Sequence, residues 1–559
     1  MVKSKVALIS FFPQLGALTE NITALNGLVE EALRNGANIV VAPELATTGY
    51  SITADQARNG LGLAAPFPQL QRLRDLANAY KAYVFLGLAE VAPGSPTAKL
   101  YNSVVLFGPG GLVKVQRKRS IPLWHGRGEL PFAAIPTPYG ELAAIICADS
   151  YLMDWSRIST LSGADILVSS ANWWGDYDQE EIWQTRAKEN GVWMVVANRW
   201  GQEVDRRSDS PSTYEMNDAP SVVISPDGKL RLHYRADQEP RPTNKILYAT
   251  LQVPASRIGA SAPNPTYTVR YRRPSAYTAL ANRYYRPDQG NMPAPGLPPA
   301  GTTRVAVLAY KPVADPRENL AAVARLQGGA APAPDALVLP GLGISASPVD
   351  LGDDGWYGKP PWKDFQEMVD GVPLQLAVTT ILARGSGSAV RPLLLLARAG
   401  QAPLLREQIH EGWGAPGSGQ PPITVDLPHA RVGVVSGLDL LFPEVATQLA
   451  KSGVDLVVVS STVAAPGLSQ PGPGPASWTA EDLFRAWQTG TGQCFHLAAS
   501  DASGYGLLVQ DGGCYASKAH RVSAEQPYQI LDLDSTTERK KILNTYHPFD
   551  LQSLLGGVD

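Results

Sequence analysis

The sequence predicts an α/β protein in which two similar domains follow one another along the chain. In both halves, short apolar runs rich in Val and Ile alternate with helical patterns of ten or more residues, which is typical of layered α/β domains. Runs such as 143–147 and 193–197 are apolar throughout, as expected for strands that are buried on both faces. We therefore expect each half to fold around its own buried sheets.

A repeat at about half the chain length supports the two-domain prediction. Residues 162–170 read SGADILVSS and residues 452–461 read SGVDLVVVSS, and each predicts the end of a helix, a glycine turn and a buried strand. Four further pairs of segments keep the same order: 6–10 with 305–309, 21–35 with 316–326, 39–43 with 336–340, and 182–187 with 483–488. Because five matches share one order, duplication explains them better than chance.

The segment 286–301 separates the two halves. It is rich in Pro, Gly and Ala, a composition that is typical of an extended linker rather than a packed element. We therefore predict a first domain over residues 1–285, a linker over 286–301 and a second domain over 302–559.

Composition excludes several classes of protein. The chain of 559 residues is 44% apolar and 18% charged, as in globular proteins, and its net charge of −3 comes without basic blocks, which argues against nucleic-acid binding. No apolar run approaches the ~20 residues of a membrane span. Three cysteines are too few for a disulfide framework, so reduced thiols in the cytoplasm are expected. The seven histidines show no metal-ligand spacing, and we expect neither a metal nor an organic cofactor.

Three segments of the first half carry residues that suggest chemistry. Glu44 follows an apolar strand, Lys118 lies in the basic run 116–119, and Cys147 stands where the apolar run 143–147 stops. Taken one at a time, these are an ordinary strand-end carboxylate, a solvated basic turn and a structural cysteine. A cysteine nucleophile needs a base and cationic support nearby, which Glu44 and Lys118 would supply if the fold brings the three together.

In this order, the three segments resemble the nitrilase superfamily of carbon-nitrogen hydrolases, whose members carry a Glu, a Lys and a Cys in such surroundings. The resemblance covers essentially all of residues 5–280. Further segments resemble the family's hairpins, its late helix and strand, and its closing turn: 101–105, 108–111, 186–190, 197–199, 225–228 and 272–277. The resemblance implies an α-β-β-α sandwich for each half.

The resemblance also implies a role for each residue. Glu44 is the general base for Cys147, and Cys147 attacks an amide carbonyl or nitrile carbon. Lys118 and the backbone N–H of Ala148 stabilise the oxyanion that develops. Many members of the family carry a second Glu that orients the lysine, and Glu129 is the candidate here, although a solvated loop residue would fit the same position.

Four further side chains are expected to line the substrate site: Tyr50, Trp124, Asn172 and Trp173. Tryptophans are also common in protein cores, so an ordinary packing role for Trp124 and Trp173 stays open.

The residues after the cysteine bear on the substrate. Ala148 and Asp149 stand where true nitrilases usually have Trp-Glu, which favours a small-molecule amide or carbamoyl amide. Nitrile hydrolysis is the alternative within the enzymes. A binding or scaffold protein with two inactive halves is a third reading, which the intact Glu44, Lys118 and Cys147 disfavour.

The second half resembles the same family without its chemistry. Gly341 stands where the base belongs, and Gly437 stands at the position of the nucleophile, two residues before Asp439. Glu407 is aligned with the lysine. Family members usually pair two α-β-β-α domains, so the resemblance implies an intramolecular pseudo-dimer with one active site, while further assembly into homo-oligomers stays open.

Overall fold

The computed structural model divides the chain into two compact units, Met1–Asn264 and Pro265–Asp559. It describes residues 1–556 except 93–98, 121–123, 152, 175–178, 206, 208–210, 261, 264, 286–291, 328–332, 352–358, 360, 373, 385–389, 411–416, 463–494, 511–518, 542 and 544–545. Part of the predicted linker, the repeat segment 483–488, Cys494 and Cys514 lie outside the described residues. Within the described part of the chain, no helix has the length and apolar character to cross a membrane.

The first sheet of unit 1 has six strands in the order β13-β1-β2-β3-β4-β5. Strands β1, β2 and β3 are parallel, and β13, β4 and β5 run antiparallel to their neighbours. The strands are β1 (Val2–Ser10), β2 (Ile39–Val41), β3 (Tyr83–Val91), β4 (Leu100–Gly108), β5 (Gly111–Arg117) and, last in the sequence, β13 (Lys245–Val253).

The second sheet of unit 1 has five strands in the order β12-β11-β8-β7-β6, of which β6, β7 and β8 are parallel. A separate hairpin pairs β9 with β10. The strands are β6 (Leu142–Ile146), β7 (Ile166–Ala171), β8 (Trp193–Asn198), β9 (Gln202–Asp205), β10 (Ser212–Glu215), β11 (Ser221–Ile224) and β12 (Leu230–Tyr234). The sheets face each other: the Ser170 hydroxyl at the end of β7 donates to the Ala42 carbonyl, 2.8 Å away, just after β2.

Two helices cover the outer face of the first sheet and two cover the second. Helix Leu18–Arg34 forms because its buried apolar residues recur every three or four positions and make one stripe, which packs on the sheet with helix Gln71–Ala79. The helix ends at Arg34, and Gly36 follows two residues later with a φ of +82°, which suits glycine. Helices Met153–Leu161 and Gln179–Asn190 pack on the second sheet, which completes an α-β-β-α sandwich.

Unit 2 repeats this design. Its first sheet runs β26-β14-β15-β17-β18-β19, in the same order and sense as the first sheet of unit 1, with β16 beside β17, and its second sheet runs β20-β21-β22-β23-β24-β25. Helices Pro316–Gln327, Trp362–Asp370 and Pro443–Lys451 flank the sheets. The predicted tandem α-β-β-α domains are therefore confirmed. The strands are β14 (Thr302–Leu308), β15 (Ala336–Gly341), β16 (Val349–Asp350), β17 (Leu376–Arg384), β18 (Val390–Ala397), β19 (Leu404–Glu407), β20 (Ile423–Asp426), β21 (Arg431–Ser436), β22 (Leu456–Ser461), β23 (His496–Asp501), β24 (Gly506–Val509), β25 (Ala519–Val522) and β26 (Tyr528–Asp534).

Residues 265–285, which the sequence analysis assigned to the first domain, make their contacts within unit 2. The Arg272 guanidinium donates to the Glu444 carboxylate at 2.7 Å, and both side chains are buried. The Lys451 ammonium donates to the Leu280 carbonyl at 2.8 Å. The division between the compact units therefore precedes the predicted linker.

This packing predicts how a shortened chain behaves. A chain ending at Tyr285 keeps Arg272 and Leu280 but lacks the surface that buries them, so we expect it to self-associate. A chain ending at Asn264 lacks the segment and should associate less. Size-exclusion chromatography with light scattering compares the two. A stable, monomeric and fully active 1–285 chain would contradict both this expectation and the pseudo-dimer prediction.

Candidate active site

Glu44, Lys118 and Cys147 all follow the ends of strands in unit 1. Glu44 comes three residues after β2, Lys118 directly follows β5, and Cys147 directly follows β6. Because β2 and β6 belong to the parallel parts of facing sheets, their carboxyl ends meet at one edge of the sandwich, where α/β folds commonly place their sites. The Glu44 amide donates across the sheets to the Ala171 carbonyl at 3.4 Å.

Glu44 and Lys118 form a fully buried ion pair. The Lys118 Nζ lies 2.6 Å from Glu44 Oε1, and the Asn102 Nδ2 donates to the same oxygen at 2.7 Å. Burial alone would lower the pKa of Lys118, but the adjacent Glu44 carboxylate outweighs it and the pKa stands above its ordinary value. The second oxygen, Glu44 Oε2, is buried and has no hydrogen-bond partner among the described residues, so it remains open to accept a proton.

Cys147 stands in a strained turn beside this pair. Its φ of +44° lies in the left-handed region, which residues other than glycine rarely adopt and which often marks functional sites. The Ser150 hydroxyl donates to the Cys147 carbonyl at 2.7 Å, and the thiol donates to the Asn172 carbonyl at 3.7 Å. Burial raises the pKa of the thiol, the Glu44 charge raises it further, and Lys118 only partly opposes them. The resting thiol therefore keeps its proton at neutral pH.

Asp149 joins the segment that carries Lys118 to the turn that carries Cys147. Its carboxylate accepts the backbone N–H groups of Arg119 at 3.1 Å, Ser120 at 2.8 Å and Ile146 at 3.1 Å. Burial raises the pKa of Asp149 to about 6 despite these bonds and the nearby Lys118 charge. The buried Asp149 side chain thus positions the segments that carry Lys118 and Cys147.

Comparison with known proteins shows the family to which this chain belongs. Residues 5–257 match the family model described as carbon-nitrogen hydrolase. A protein named nitrilase from Pyrococcus abyssi is 30% identical over 206 residues, which cover 36% of this chain and 76% of the relative. The chain belongs to the carbon-nitrogen hydrolase family.

Other members of the family match over a similar extent. The N-carbamoylputrescine amidase of Arabidopsis thaliana is 26% identical over 234 residues, 38% of this chain and 76% of the relative. Among solved structures, Saccharomyces cerevisiae Nit3, described as a member of branch 10 of the nitrilase superfamily, is 24% identical, with 44% of this chain and 90% of Nit3 covered at a TM-score of 0.38.

The structure corrects the assignment of Glu129 as the carboxylate that orients Lys118. The Glu129 side chain is 44% exposed, accepts the Tyr101 hydroxyl at 2.8 Å and lies 3.3 Å from Lys99. Lys118 is instead held by Glu44. Glu129 lies instead 3.6 Å from the side chain of Arg117, the last residue of β5, and successive residues of a strand point to opposite faces.

The predicted substrate-lining residues divide into two groups. Tyr50, with its ring centre 6.0 Å from the Lys118 Nζ, belongs to a cluster against which Trp124 packs. The Trp173 ring packs on Trp183 of helix Gln179–Asn190 at 5.3 Å, and its place in a substrate site stays a prediction. Its neighbour Trp174, which was not predicted, contacts the Tyr50 ring at 5.4 Å.

The remaining predicted residues lie next to Cys147. Asn172 follows β7 and is fully buried, and neither its amide oxygen nor its amide nitrogen has a hydrogen-bond partner among the described residues. Ala148 lies in the first turn after Cys147, where backbone N–H groups have no acceptor within the helix. Both can therefore hydrogen-bond a substrate.

Asn102 is the residue at this site that the sequence analysis missed. It lies in β4, within the segment that resembled the family's hairpin, yet no role was assigned to it. Its backbone carbonyl accepts the Lys118 N–H at 2.8 Å while its side chain binds Glu44. Alternate residues of a strand face the opposite sheet, and this alternation along β4 is the pattern from which a role for Asn102 could have been predicted.

In unit 2, the partners of Asp439 fix the alignment of the family's lysine position. Asp439 accepts the N–H groups of Ile409 and His410 at 3.1 Å, as Asp149 accepts those of Arg119 and Ser120. Counting back one residue therefore places Gln408 at the position of Lys118. The prediction that Glu407 occupies it is wrong by one residue, because sequence alone did not show where β19 ends.

Unit 2 also has no room for side chains at the positions that correspond to Glu44 and Cys147. A Cβ added to Gly437 would lie 1.8 Å from the Ser461 Oγ, and a Cβ added to Gly341 would lie 1.9 Å from the Ser461 carbonyl oxygen. Gly437 has φ of −61°, so the strained turn of Cys147 is absent at this position. The end of β22 fills the space that the Glu44 and Cys147 side chains occupy in unit 1.

The repeated aspartate allows a matched pair of variants. Asp149→Asn presents an amide to N–H donors, so we expect it to lose roughly 2–3 kcal/mol of stability and, because Lys118 and Cys147 shift, most of the activity. Asp439→Asn should lose comparable stability but little activity. Thermal denaturation and turnover of both full-length variants provide the comparison. Equal loss of activity in both would show that Asp149 has no special link to the chemistry.

Proposed function

We propose that this chain hydrolyses the carbon-nitrogen bond of an amide or carbamoyl amide through a thioester on Cys147. The observation that carries the proposal is the buried contact of Glu44 with Lys118 beside a protonated Cys147 in a strained turn. A thiol that keeps its proton needs a base, and Glu44 Oε2 has no competing partner among the described residues.

The reaction then follows from the positions of these groups. Glu44 takes the proton of the Cys147 thiol as sulfur attacks the substrate carbonyl carbon. Lys118 and the Ala148 N–H stabilise the oxyanion. The carbon-nitrogen bond breaks, and the leaving ammonia or amine takes the proton back from Glu44. Glu44 next deprotonates a water molecule that attacks the thioester, and the acid and the free thiol are released.

Asn172 orients the substrate in this scheme. Neither the donor nor the acceptor of its buried amide has a partner among the described residues, and buried polar groups normally have partners. A substrate amide matches both groups, since it has one carbonyl oxygen and N–H donors. This pairing favours amides over nitriles, which have no donor.

A relative named N-carbamoylputrescine amidase supports the amide class, and a relative named nitrilase makes nitrile hydrolysis the second candidate. Ammonia release from an amide and a nitrile that share one side group decides between them. We expect the amide to react faster by more than about tenfold, which corresponds to about 1.4 kcal/mol of transition-state binding. Faster nitrile hydrolysis would reverse the assignment.

We further propose that unit 2 performs no chemistry of this kind. The Ser461 contacts at Gly341 and Gly437 support this, since neither a carboxylate nor a thiol fits there without movement of the backbone. Its packing residues would then be retained for stability.

A further inference from the structure

Arg207 and Lys118 both lie close to the Tyr50 ring. The Tyr50 ring centre lies 5.5 Å from the Arg207 guanidinium and 6.0 Å from the Lys118 Nζ. The pKa of Tyr50 reflects this: burial raises it above its ordinary value, and it feels the charges of Lys118, Glu44, Cys147 and Arg207. A substrate that extends past one aromatic ring can therefore contact both Cys147 and Arg207.

The Asp205 carboxylate holds the Arg207 guanidinium through two of its three nitrogens. Asp205 accepts two hydrogen bonds from Arg207, at 2.8 Å from Nε and 2.7 Å from Nη2. The Tyr214 hydroxyl donates to the same carboxylate at 2.7 Å and lies beside the guanidinium. The remaining nitrogen, Nη1, is buried and has no hydrogen-bond partner among the described residues. Such a donor is costly unless a ligand atom accepts from it.

Aromatic rings complete the surroundings of this donor. Trp174 contacts Tyr214 at 4.4 Å between ring centres and Tyr50 at 5.4 Å. The Trp124 indole N–H is a second buried donor without a partner among the described residues. Apolar walls with a few convergent donors are typical of pockets for small organic ligands.

Arg207 also lines a cavity of about 500 Å³ in unit 1. Arg207 and Ser51 line it together with Leu15, Gln56 and Val204. Its size is within the range of small-molecule sites. Arg207 thus borders an open cavity and also lies 5.5 Å from the Tyr50 ring centre.

We propose that Arg207 determines substrate specificity by donating from Nη1 to an acceptor oxygen at the end of the acyl chain remote from the scissile bond. The inference rests on the proposed amide hydrolysis and names the class of acyl group that it takes. Asp205 and Tyr214 hold the guanidinium in position, while Tyr50 and Trp174 pack along the chain between the two ends. The acceptor is a carboxylate or a neutral carbonyl oxygen.

Three amides of matched length test this. Glutaramate ends in a carboxylate, glutaramide ends in a neutral carboxamide, and 5-methylhexanamide has an apolar group of similar shape. In Arg207→Met, we expect kcat/KM for an oxygen-ended amide to fall roughly 10- to 100-fold relative to 5-methylhexanamide, mostly through KM. A larger loss for glutaramate than for glutaramide identifies the acceptor as a carboxylate, and the reverse identifies a neutral oxygen.

Two further variants separate recognition from folding. Arg207→Lys keeps a cation for Asp205 but loses the forked donor, so it should lose the same preference in a folded protein. Arg235→Met is the matched control, because Arg235 pairs with Asp237 in the same two-bonded way, at 3.2 and 2.6 Å, on the exposed surface. It should leave all three rates unchanged.

Binding measurements test the role of Arg207 independently of turnover. Titration calorimetry of glutaramate and glutaramide into full-length Cys147→Ala, with and without Arg207→Met, should show weaker binding when Arg207 is absent. Equal effects of Arg207→Met on all three amides, or unchanged binding, would overturn the role of Arg207. If the natural chain releases no ammonia from any amide, the proposed function fails, and the binding comparison still decides the role of Arg207.

Discussion

Cys147→Ala should abolish turnover while the protein stays folded. The thiol is the only group in this arrangement that can form the thioester, so we expect kcat to fall on the order of 10⁴-fold or more, as in other enzymes that lose a nucleophile. Among the described residues, the thiol donates to the Asn172 carbonyl at a long 3.7 Å and also interacts with the Glu44 carboxylate, and we expect the loss of these contacts to change the melting temperature little. Ammonia release and thermal denaturation of the same preparation provide the test.

The matched control is Gly437→Ala in the second unit. Its new Cβ would collide with Ser461, so this variant should lose stability more than activity. Full activity in Cys147→Ala would refute the assignment of the nucleophile and with it the whole mechanism.

Glu44→Gln should impair both chemistry and stability. The base acts in both halves of the reaction, and general acid-base catalysis typically contributes 10²- to 10⁴-fold to each step, so we expect activity to fall at least on the order of 10³-fold. Reaction of Cys147 with a small electrophile should slow as well, because the thiol depends on Glu44 to lose its proton. Without Glu44, Lys118 becomes a buried and unpaired charge, which typically costs about 3–5 kcal/mol.

The pH dependence of stability identifies the cause of that loss. In the natural protein, the pKa of Lys118 is raised, so its contribution is fully present at pH 7 and is lost only as pH rises through the folded pKa. In Glu44→Gln, burial is no longer opposed and should lower the folded pKa below that of the unfolded chain. The unfolded state then binds more protons in the intervening range, so stability should rise with pH above neutrality.

Denaturant unfolding of Glu44→Gln between pH 7 and 10 measures this rise. The double variant Glu44→Gln/Lys118→Met removes the buried charge and should abolish the pH dependence. A stability that stays flat or falls over this range in the single variant would show that Glu44 is not the main support of Lys118.

Several features of this protein follow from the sequence by itself. The alternation of apolar runs and helical patterns predicts the layered fold because each strand and each amphipathic helix carries its own local period. The repeat predicts the second unit because homologous strands keep the same order. The positions of Glu44, Lys118 and Cys147 were predictable because each follows the end of a strand in a recognisable segment.

Only the tertiary structure showed which side chains meet. Asn102 and Glu44 are 58 residues apart in sequence, and their hydrogen bond depends on the order of β2, β3 and β4 within the first sheet. The sequence could not show that Glu129 lies away from Lys118, because the direction of a side chain after a strand ends is set by its neighbours in space. In the same way, the alignment of Gln408 with Lys118 depends on which backbone groups Asp439 binds.

The sequence likewise did not predict that Arg207 pairs with Asp205. Charged residues two positions apart in a polar segment are usually solvated, and no local pattern distinguishes this pair from Arg235 and Asp237. The two pairs differ in burial: the Arg207 side chain is 17% exposed, whereas that of Arg235 is 34% exposed. Local sequence determined the helices and strands of this enzyme and the positions of Glu44, Lys118 and Cys147 at the ends of strands. Long-range packing decided which other polar groups are buried beside them, because burial depends on residues that are distant along the chain.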